Sequence, residues 1–183
     1  MACFSLAFIY SCRNDESTSN PSNDVTNLTS RNSSNVVQQW ISLYMDVEKD
    51  LLGFRPAATS RALCYIWLSG YEAGLPGMPD FVSNDTKPNF NGLNIPDLPK
   101  DTKEYDWIIA VNTAVSIATQ HFMHNATPAQ RTLMTNLESD INSYSKDINP
   151  TVLSNSQEWG RIVADAVIKF SQTDLEAEIQ ILD

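Results

Sequence analysis

The sequence predicts an all-α protein: an antiparallel helical bundle of about five helices with a long Pro-rich loop. Apolar residues recur every three to four positions in five segments between residues 36 and 174, as they do along one face of a helix. None of these segments alternates apolar and polar residues as a half-buried strand does. Residues 75–100 have no such period and contain five prolines, which keep a segment out of regular structure.

The first two predicted helices are separated by a break at Gly53. The first begins at Val36, and Pro56 stands in the first turn of the second, where its missing N–H costs nothing. The second helix ends at Gly74, and Cys64 within it is interpreted as a small buried hydrophobe. The apolar positions of the two helices are Val37, Trp40, Ile41, Tyr44, Val47 and Leu51, then Leu63, Trp67 and Tyr71.

The third helix is predicted from about Glu104 to Asn125. The fourth has a capping box, in which Thr127 caps, Pro128 takes the first helical position and Gln130 returns the hydrogen bond. The fifth is expected to open near Ser154. The residues predicted to be buried are Trp40, Trp67, Ile109, Leu137 and Trp159, and Phe81, Phe90 and Leu93 are expected to pack the 75–100 loop over the bundle. A functional role for this long loop is the alternative.

The N-terminal segment has the pattern of an export signal. Residues 2–11 are apolar but too few to span a bilayer, which takes roughly 20 residues. They resemble the apolar region of a secretory signal, and Ser11-Cys12 resembles a lipobox, in which the cysteine is lipidated. We therefore predict an exported bacterial lipoprotein, periplasmic or on the cell surface, anchored to the membrane through Cys12. A frayed apolar terminus is the alternative.

Four segments follow from these patterns. Residues 1–12 are the signal and lipobox-like segment, and residues 13–35, rich in Ser and Asn, are predicted to be a disordered tether. Residues 36–174 form the helical bundle domain, and residues 175–183 a short C-terminal tail. The net charge of −10 argues against a nucleic-acid partner, because phosphate binding needs clustered Lys and Arg.

Side chains that could carry chemistry are few. His121 and His124 stand three apart on the third helix and could hold a metal ion if a third ligand joined them. Packing or capping at a helix end is the alternative, and Phe122 and Met123 between them favour it. The chain contains no G-x-S-x-G, Walker or dinucleotide-binding motif.

Four acidic residues are candidate acids, and Glu72 is the most notable because it stands between Tyr71 and Ala73 on an apolar helix. A carboxylate there must be paired or exposed. A structural ion pair with Arg55 or Arg61 is the prediction, and catalysis the alternative. The four are Glu48, Asp50, Glu72 and Glu104.

Residues scattered through the predicted bundle domain form a pattern that resembles a known family. They are Trp40, Glu48, Gly53, Pro56-Ala57-Ala58, Ser60-Arg61-Ala62, Tyr65 and Tyr71-Glu72-Ala73, followed by Ala110, Asn112 and Ala114 and by Trp159-Gly160-Arg161-Ile162-Val163-Ala164. The set resembles the N-terminal helical half of the vanadium-dependent haloperoxidases, which belong with the type-2 phosphatidic acid phosphatases. It covers residues 36–174 and consists of packing residues.

The resemblance implies an active site that binds phosphate or vanadate through K-x(6)-R-P, P-S-G-H and S-R-x(5)-H-x(3)-D motifs. Lys49 and Arg55-Pro56 are one residue short of the first spacing, no P-S-G-H follows, and Ser60-Arg61 has no histidine at the required distance. No catalytic residue of the family is therefore carried over. The resemblance implies that the chain stops before the catalytic half, that vanadate or phosphate binds only there, and that this catalytic bundle is its partner.

Three hypotheses remain open from the sequence. The first is an incomplete member of that enzyme family, inactive alone. The second is a free-standing helical lipoprotein that serves as an interaction module. The third is an unrelated small enzyme that uses Glu72 and His121. Under the first, an apolar face should stay exposed, on the fifth helix (Ile162, Phe170) or on the loop with Phe81.

Overall fold

The computed structural model describes residues 25–51, 56–99, 104–143 and 148–174 and positions 176, 179 and 181, with only the backbone for 25–33. This described part of the chain contains five α-helices and no strand, which confirms the all-α prediction. Three 3₁₀ turns lie within the Pro-rich loop, at Leu75–Gly77, Asn84–Thr86 and Pro88–Phe90. The helices are α1 Val25–Glu48, α2 Pro56–Gly74, α3 Trp107–Phe122, α4 Pro128–Ser143 and α5 Pro150–Ser171.

Helix α3 lies at the centre of the bundle and contacts each of the other four. Helices α2 and α4 run antiparallel to it, whereas α5 runs in its direction, as an up-and-down order of helices requires. The neighbouring pairs that show these directions are Gly70 with Val115 and Gly74 with Val111 for α2, Ser116 with Glu138 and Asn112 with Asn142 for α4, and Asp106 with Ser156 and Ala110 with Gly160 for α5.

The hydrophobic core confirms three of the five predicted buried positions, Trp40, Ile109 and Trp159. Trp67 and Leu137 are only half-buried, because each lies on the flank of its helix beside the residues that face the core. The prediction for Cys64 is wrong, since its side chain is exposed. Cys64 is two positions from the buried Ala62 and Ile66, and two positions turn a helix by roughly 200°, so it points away from them.

The helix starts differ from the prediction at two places. Helix α1 begins at Val25, so residues 25–35 are helical where a tether was predicted, because extending an existing helix costs far less than nucleating one. Helix α5 begins at Pro150, since the side chain of Asn149 accepts a hydrogen bond from the backbone N–H of Thr151 and caps it there. The predicted capping box of Thr127 and Gln130 is present, with both reciprocal hydrogen bonds.

The Pro-rich loop covers α5, as its interpretation as a packed loop required. Leu93 is buried, and Phe90 packs against Phe170 with ring centroids 6.2 Å apart. Gly92 lies in the turn between them with φ of +100°, a conformation that favours glycine. Phe81 is an exception, with 59% of its surface exposed.

Because the Pro-rich loop covers it, α5 has no exposed apolar face. The expectation that α5 would expose an apolar surface is therefore wrong. Val163 and Val167 are buried, and Ile162 and Phe170 are half-buried. The exposed large hydrophobic residues among those described lie elsewhere: Ile41, Met45, Phe81, Val82, Leu133 and Ile179.

The N-terminal predictions fall mostly outside the described residues. Cys12, the signal-like segment and residues 13–24 of the predicted tether all lie there. Among the helices that the structure describes, none is long and apolar enough to cross a membrane.

Candidate functional site

Glu72 is the most deeply buried acid in the described chain, and it holds the Pro-rich loop on α2. Its side chain is 1% exposed. One carboxylate oxygen accepts hydrogen bonds from the backbone N–H of Asn84 at 2.8 Å and from its Nδ2 at 3.0 Å, and the other accepts from Ser83 Oγ at 2.7 Å. Three donors replace the water that burial removes, so the charge is compensated without a cation.

The predicted ion pair of Glu72 is therefore wrong for Arg61, and Arg55 lies outside the described residues. Arg61 lies 3.7 Å from Asp174 instead, which ties the start of α2 to the end of α5. The neighbour Tyr71 donates its hydroxyl to Val82 O at 2.8 Å. Desolvation by burial, followed by the charge of Glu72, raises the pKa of Tyr71. Together Tyr71 and Glu72 fasten the loop on both flanks of the same helix turn.

A second buried polar cluster joins α1, α3 and α4 around Asn112, which is 0% exposed. Its Oδ1 accepts from Trp40 Nε1 at 2.8 Å, and its Nδ2 donates to Glu138 O at 3.0 Å and to Asn142 Oδ1 at 2.9 Å. Both N–H groups of its Nδ2 and one acceptor position of its Oδ1 are thus used by protein. The cluster specifies how three helices meet and leaves no group free for a substrate.

The carboxylate of Glu138 continues this cluster. Ser116 Oγ donates to it at 2.6 Å, and Gln120 Nε2 donates to Ser116 Oγ at 3.1 Å. Burial raises the pKa of Glu138, and the hydrogen bond from Ser116 opposes part of that rise. A carboxyl group with a raised pKa is a property of many acid catalysts. Here the carboxyl group lies at the α3–α4 contact, where Ser116 holds it.

The two histidines lie at the C-terminal end of α3, as expected if they pack or cap the end of that helix. His121 lies edge-on to Phe122 with ring centroids 4.8 Å apart. Arg131 donates to the backbone carbonyl of Gln120 in the last turn of α3 and to that of His124 just beyond it. No group of three His, Cys, Asp or Glu side chains within the described residues is placed to hold a metal ion.

Glu72 and His121 do not meet. The Tyr65 ring stacks on Phe122, the neighbour of His121, whereas Glu72 lies seven positions further along α2. Seven helical residues span roughly 10 Å. The small-enzyme hypothesis that joined these two residues therefore has no support from their positions.

The remaining candidate acids are not assembled into a set either. Glu48 accepts a hydrogen bond from Thr59 Oγ1 at 3.1 Å, and its charge adds to burial in raising the pKa of Tyr44. Asp50 and Glu104 are exposed. Lys49, just beyond the end of α1, pairs with Asp46 in its last turn.

A cavity that the sequence did not indicate lies between α1 and α2. We call it the α1–α2 groove, and its volume is about 370 Å³. Trp40 binds α1 to α3, and two glycines bring α2 close to α3: a Cβ built at Gly70 would stand 2.8 Å from Val115 and one at Gly74 2.9 Å from Val111. Its walls and floor are Val37, Ile41, Trp67, Gly70, Tyr71, Gly74, Met78 and Val111.

Side chains join α1 and α2 at the end where the two helices are connected. There Tyr44 donates its hydroxyl to Thr59 O at 3.3 Å, and Thr59 bonds Glu48. At the other end Met78 follows the last turn of α2. Phe81 and Val82 extend this end, because their backbones are hydrogen-bonded to Met78 and Tyr71.

Comparison of the chain with models of protein families, with curated proteins and with solved structures finds no match in any of the three.

The polar clusters could be anticipated only in part. A polar residue such as Asn112 on a strongly apolar helix signals a buried hydrogen bond, but not its partners. Ser83 and Asn84 stand in a loop whose sequence gives no period. The pair Gly70 and Gly74, four apart on one helix face, is the sequence signal for the close α2–α3 contact.

Proposed function

We propose that this chain is the N-terminal helical portion of a lipoprotein related to the vanadium haloperoxidases and type-2 phosphatidic acid phosphatases. In this role it carries no chemistry and supports a catalytic bundle that holds the phosphate or vanadate. The supporting observation is where six residues of the resemblance lie: Trp40 and Asn112, Ala73 and Trp159, and Ala110 and Gly160 meet in pairs at helix junctions.

Three junctions illustrate the point. Trp40 bonds Asn112 between α1 and α3. Trp159 Nε1 donates to Ala73 O at 3.0 Å between α5 and α2. At the third, a Cβ built at Gly160 would stand only 2.4 Å from the backbone oxygen of Ala110, between α5 and α3.

These six residues help to specify an architecture, because each takes part in a particular helix contact. A helical half that only supports the catalytic bundle needs this architecture but needs no motif that binds an oxyanion. Under this proposal the exposed apolar residues at the open end of the α1–α2 groove, Phe81 and Val82, are the first surface to test for contact with the catalytic bundle.

The experiment is to isolate the chain from its native host after mild cross-linking and to identify what is joined to it. The proposal expects a polypeptide, continuous or separate, that carries P-S-G-H and S-R-x(5)-H-x(3)-D. A chain recovered repeatedly without such a polypeptide would contradict it. As a control, the yield of cross-links formed at position 81 should be compared with the yield at position 133. Leu133 is also exposed but lies on α4, so fewer cross-links to the catalytic bundle are expected there.

The lipid anchor is a separate part of the proposal. Mass spectrometry of the chain expressed in a bacterium that lipidates its lipoproteins should find residues 1–11 removed and a lipid on Cys12, and a Cys12→Ser variant should carry none. Retention of residues 1–11 on the native chain would contradict this part.

The second candidate function is a free-standing helical lipoprotein that serves as an interaction module. The observation that favours it is the cover over α5: Leu93 and Phe90 close the face that a missing half would otherwise bury. A monomer that melts cooperatively and self-associates at no concentration tested would favour this candidate.

A further inference from the structure

The α1–α2 groove has the character of a ligand site that neither the resemblance nor the packing of the helices explains. Well-packed helix contacts leave few voids larger than a water molecule. A cavity of about 370 Å³ lies within the range of roughly 300–1,000 Å³ found for small-molecule sites. It persists here because α1 and α2 each pack on α3, and they are bonded to each other only at the end where they are connected, as far as the described residues show.

The lining of the groove contains no formal charge. Its side-chain polar groups are the hydroxyl of Tyr71, whose proton goes to Val82 O, and the indole N–H of Trp67. Glu72 does not line the groove, and Ser83 and Asn84 hold its carboxylate. An ionic ligand would lose its hydration here and gain no counter-charge, so its transfer is unfavourable.

We propose that the α1–α2 groove binds a neutral, largely apolar small molecule. The ligand has the bulk of about two to three aromatic rings, because a cavity of about 150 Å³ accommodates a single benzene. Trp67 and Tyr71 supply aromatic surface on one wall, and the Trp67 N–H can donate to one acceptor on the ligand. Val37 and Ile41 form the opposite aliphatic wall.

Met78 adapts the open end of the groove to the ligand. Its thioether side chain is unbranched and flexible, and it can follow the outline of a bound molecule. Tyr44 and Thr59 join α1 and α2 at the connected end, so the ligand enters at the opposite end, beside Met78. This proposal does not depend on the catalytic bundle and would hold for a free-standing module.

The test uses the full chain and a pair of fluorescent probes with the same aromatic body: neutral N-phenyl-1-naphthylamine and the anionic 8-anilinonaphthalene-1-sulfonate. We expect the neutral probe to bind with one-to-one stoichiometry and at least about tenfold more tightly than the sulfonate, because burying the unpaired sulfonate charge is costly. Fluorescence energy transfer from tryptophan to the bound probe should fall in a Trp67→Phe variant, because Trp67 lines the groove.

Matched variants locate the site. Ile41→Asp places a charge at the lip of the groove, where the side chain is 42% exposed, and should weaken binding of the neutral probe at least about tenfold. Leu133→Asp makes the same change at a side chain that is 51% exposed on α4, away from the groove, and should leave binding unchanged. Val37→Phe fills the groove without adding charge and should also weaken binding. Circular dichroism and melting of each variant show that it is folded.

The proposal is overturned by any of three results. Equal binding of the neutral probe by the Ile41→Asp and Leu133→Asp variants would place the probe elsewhere. Binding of the sulfonate as tight as that of the neutral probe would contradict the uncharged character of the site. Unchanged binding of the neutral probe by the Val37→Phe variant would show that the probe does not occupy the groove.

Discussion

Replacing Gly160 by alanine tests the helix junction at which α5 approaches α3 most closely. A Cβ built at this position would stand 2.4 Å from Ala110 O, 3.0 Å from Thr113 Cβ and 3.2 Å from Ala114 N. Two of the three atoms belong to the backbone of α3 and cannot rotate away. Relief requires α5 to move outward by several tenths of an ångström or more, which opens the packing of the buried Trp159.

Two opposing effects set the size of the change. Alanine favours a helix over glycine by about 1 kcal/mol, which stabilises the variant. Overpacking a tight contact costs about 1–3 kcal/mol, and a clash with backbone belongs at the upper end of that range. We therefore expect a net loss of about 2 kcal/mol in the free energy of unfolding, or about 4–8 °C in Tm for a chain of this size.

The assay is urea denaturation followed by tryptophan fluorescence and far-ultraviolet circular dichroism. Gly74→Ala is the matched control, because its nearest obstacle is the side-chain methyl Val111 Cγ2 at 2.9 Å, which lines the α1–α2 groove and can move. Its loss of stability should be the smaller of the two. A Gly160→Ala variant as stable as the original, or less affected than Gly74→Ala, would refute the argument that this glycine is required by close backbone approach.

Three further predictions concern the polar clusters. Glu72→Ala leaves the loop donors of Ser83 and Asn84 without their acceptor, so limited proteolysis should cut the loop faster than in the original chain or in Glu72→Gln, which keeps an acceptor oxygen. Equal rates of cleavage would contradict the anchoring role. Asn112→Leu leaves the buried N–H of Trp40 unpaired and should cost about 1–3 kcal/mol of stability in denaturation, part of which a second Trp40→Phe change should restore. Because burial raises the pKa of Glu138, its ionised form is less favourable in the folded chain than in the unfolded one. The stability of the original chain relative to the Glu138→Gln variant should therefore rise as the pH falls from neutral towards the ordinary pKa of 4.5. A difference in Tm between the two proteins that stays constant across this pH range would contradict the prediction.

The periodicity of apolar residues predicted the helices well because each amphipathic segment buries one face against a common core. It could not separate the centre of that face from its flanks. Trp67 and Leu137 carry large apolar side chains at helical spacing, yet they lie at the edges of their stripes and are half-buried. Leu133 is exposed, and the buried position beside it is Met134. A shift of one residue along a helix rotates the direction of the side chain by about 100°, and this rotation decides whether the side chain faces the core or the solvent.

Burial of a polar group was harder to predict than burial of an apolar one. Glu72 was required to be paired or exposed, and it is paired, but its partners are loop groups at positions 83 and 84 rather than the predicted arginine. Pairing with a cation is only one way to compensate a carboxylate, and donors from an irregular loop leave no spacing signal in the sequence. The α1–α2 groove was missed for a related reason: its residues fit a normal buried stripe, and only the mutual placement of two helices on α3 leaves them uncovered.

The most direct measurement of the central claim is turnover by the purified chain. Hydrolysis of a generic phosphomonoester, and oxidation of bromide by peroxide with vanadate present, should not exceed the rate without protein, because the described residues bring no set of nucleophile or oxyanion-binding groups together. Activity that persists through repeated purification and disappears in a His121→Ala variant would contradict the account and would return His121 to the role of a catalytic residue.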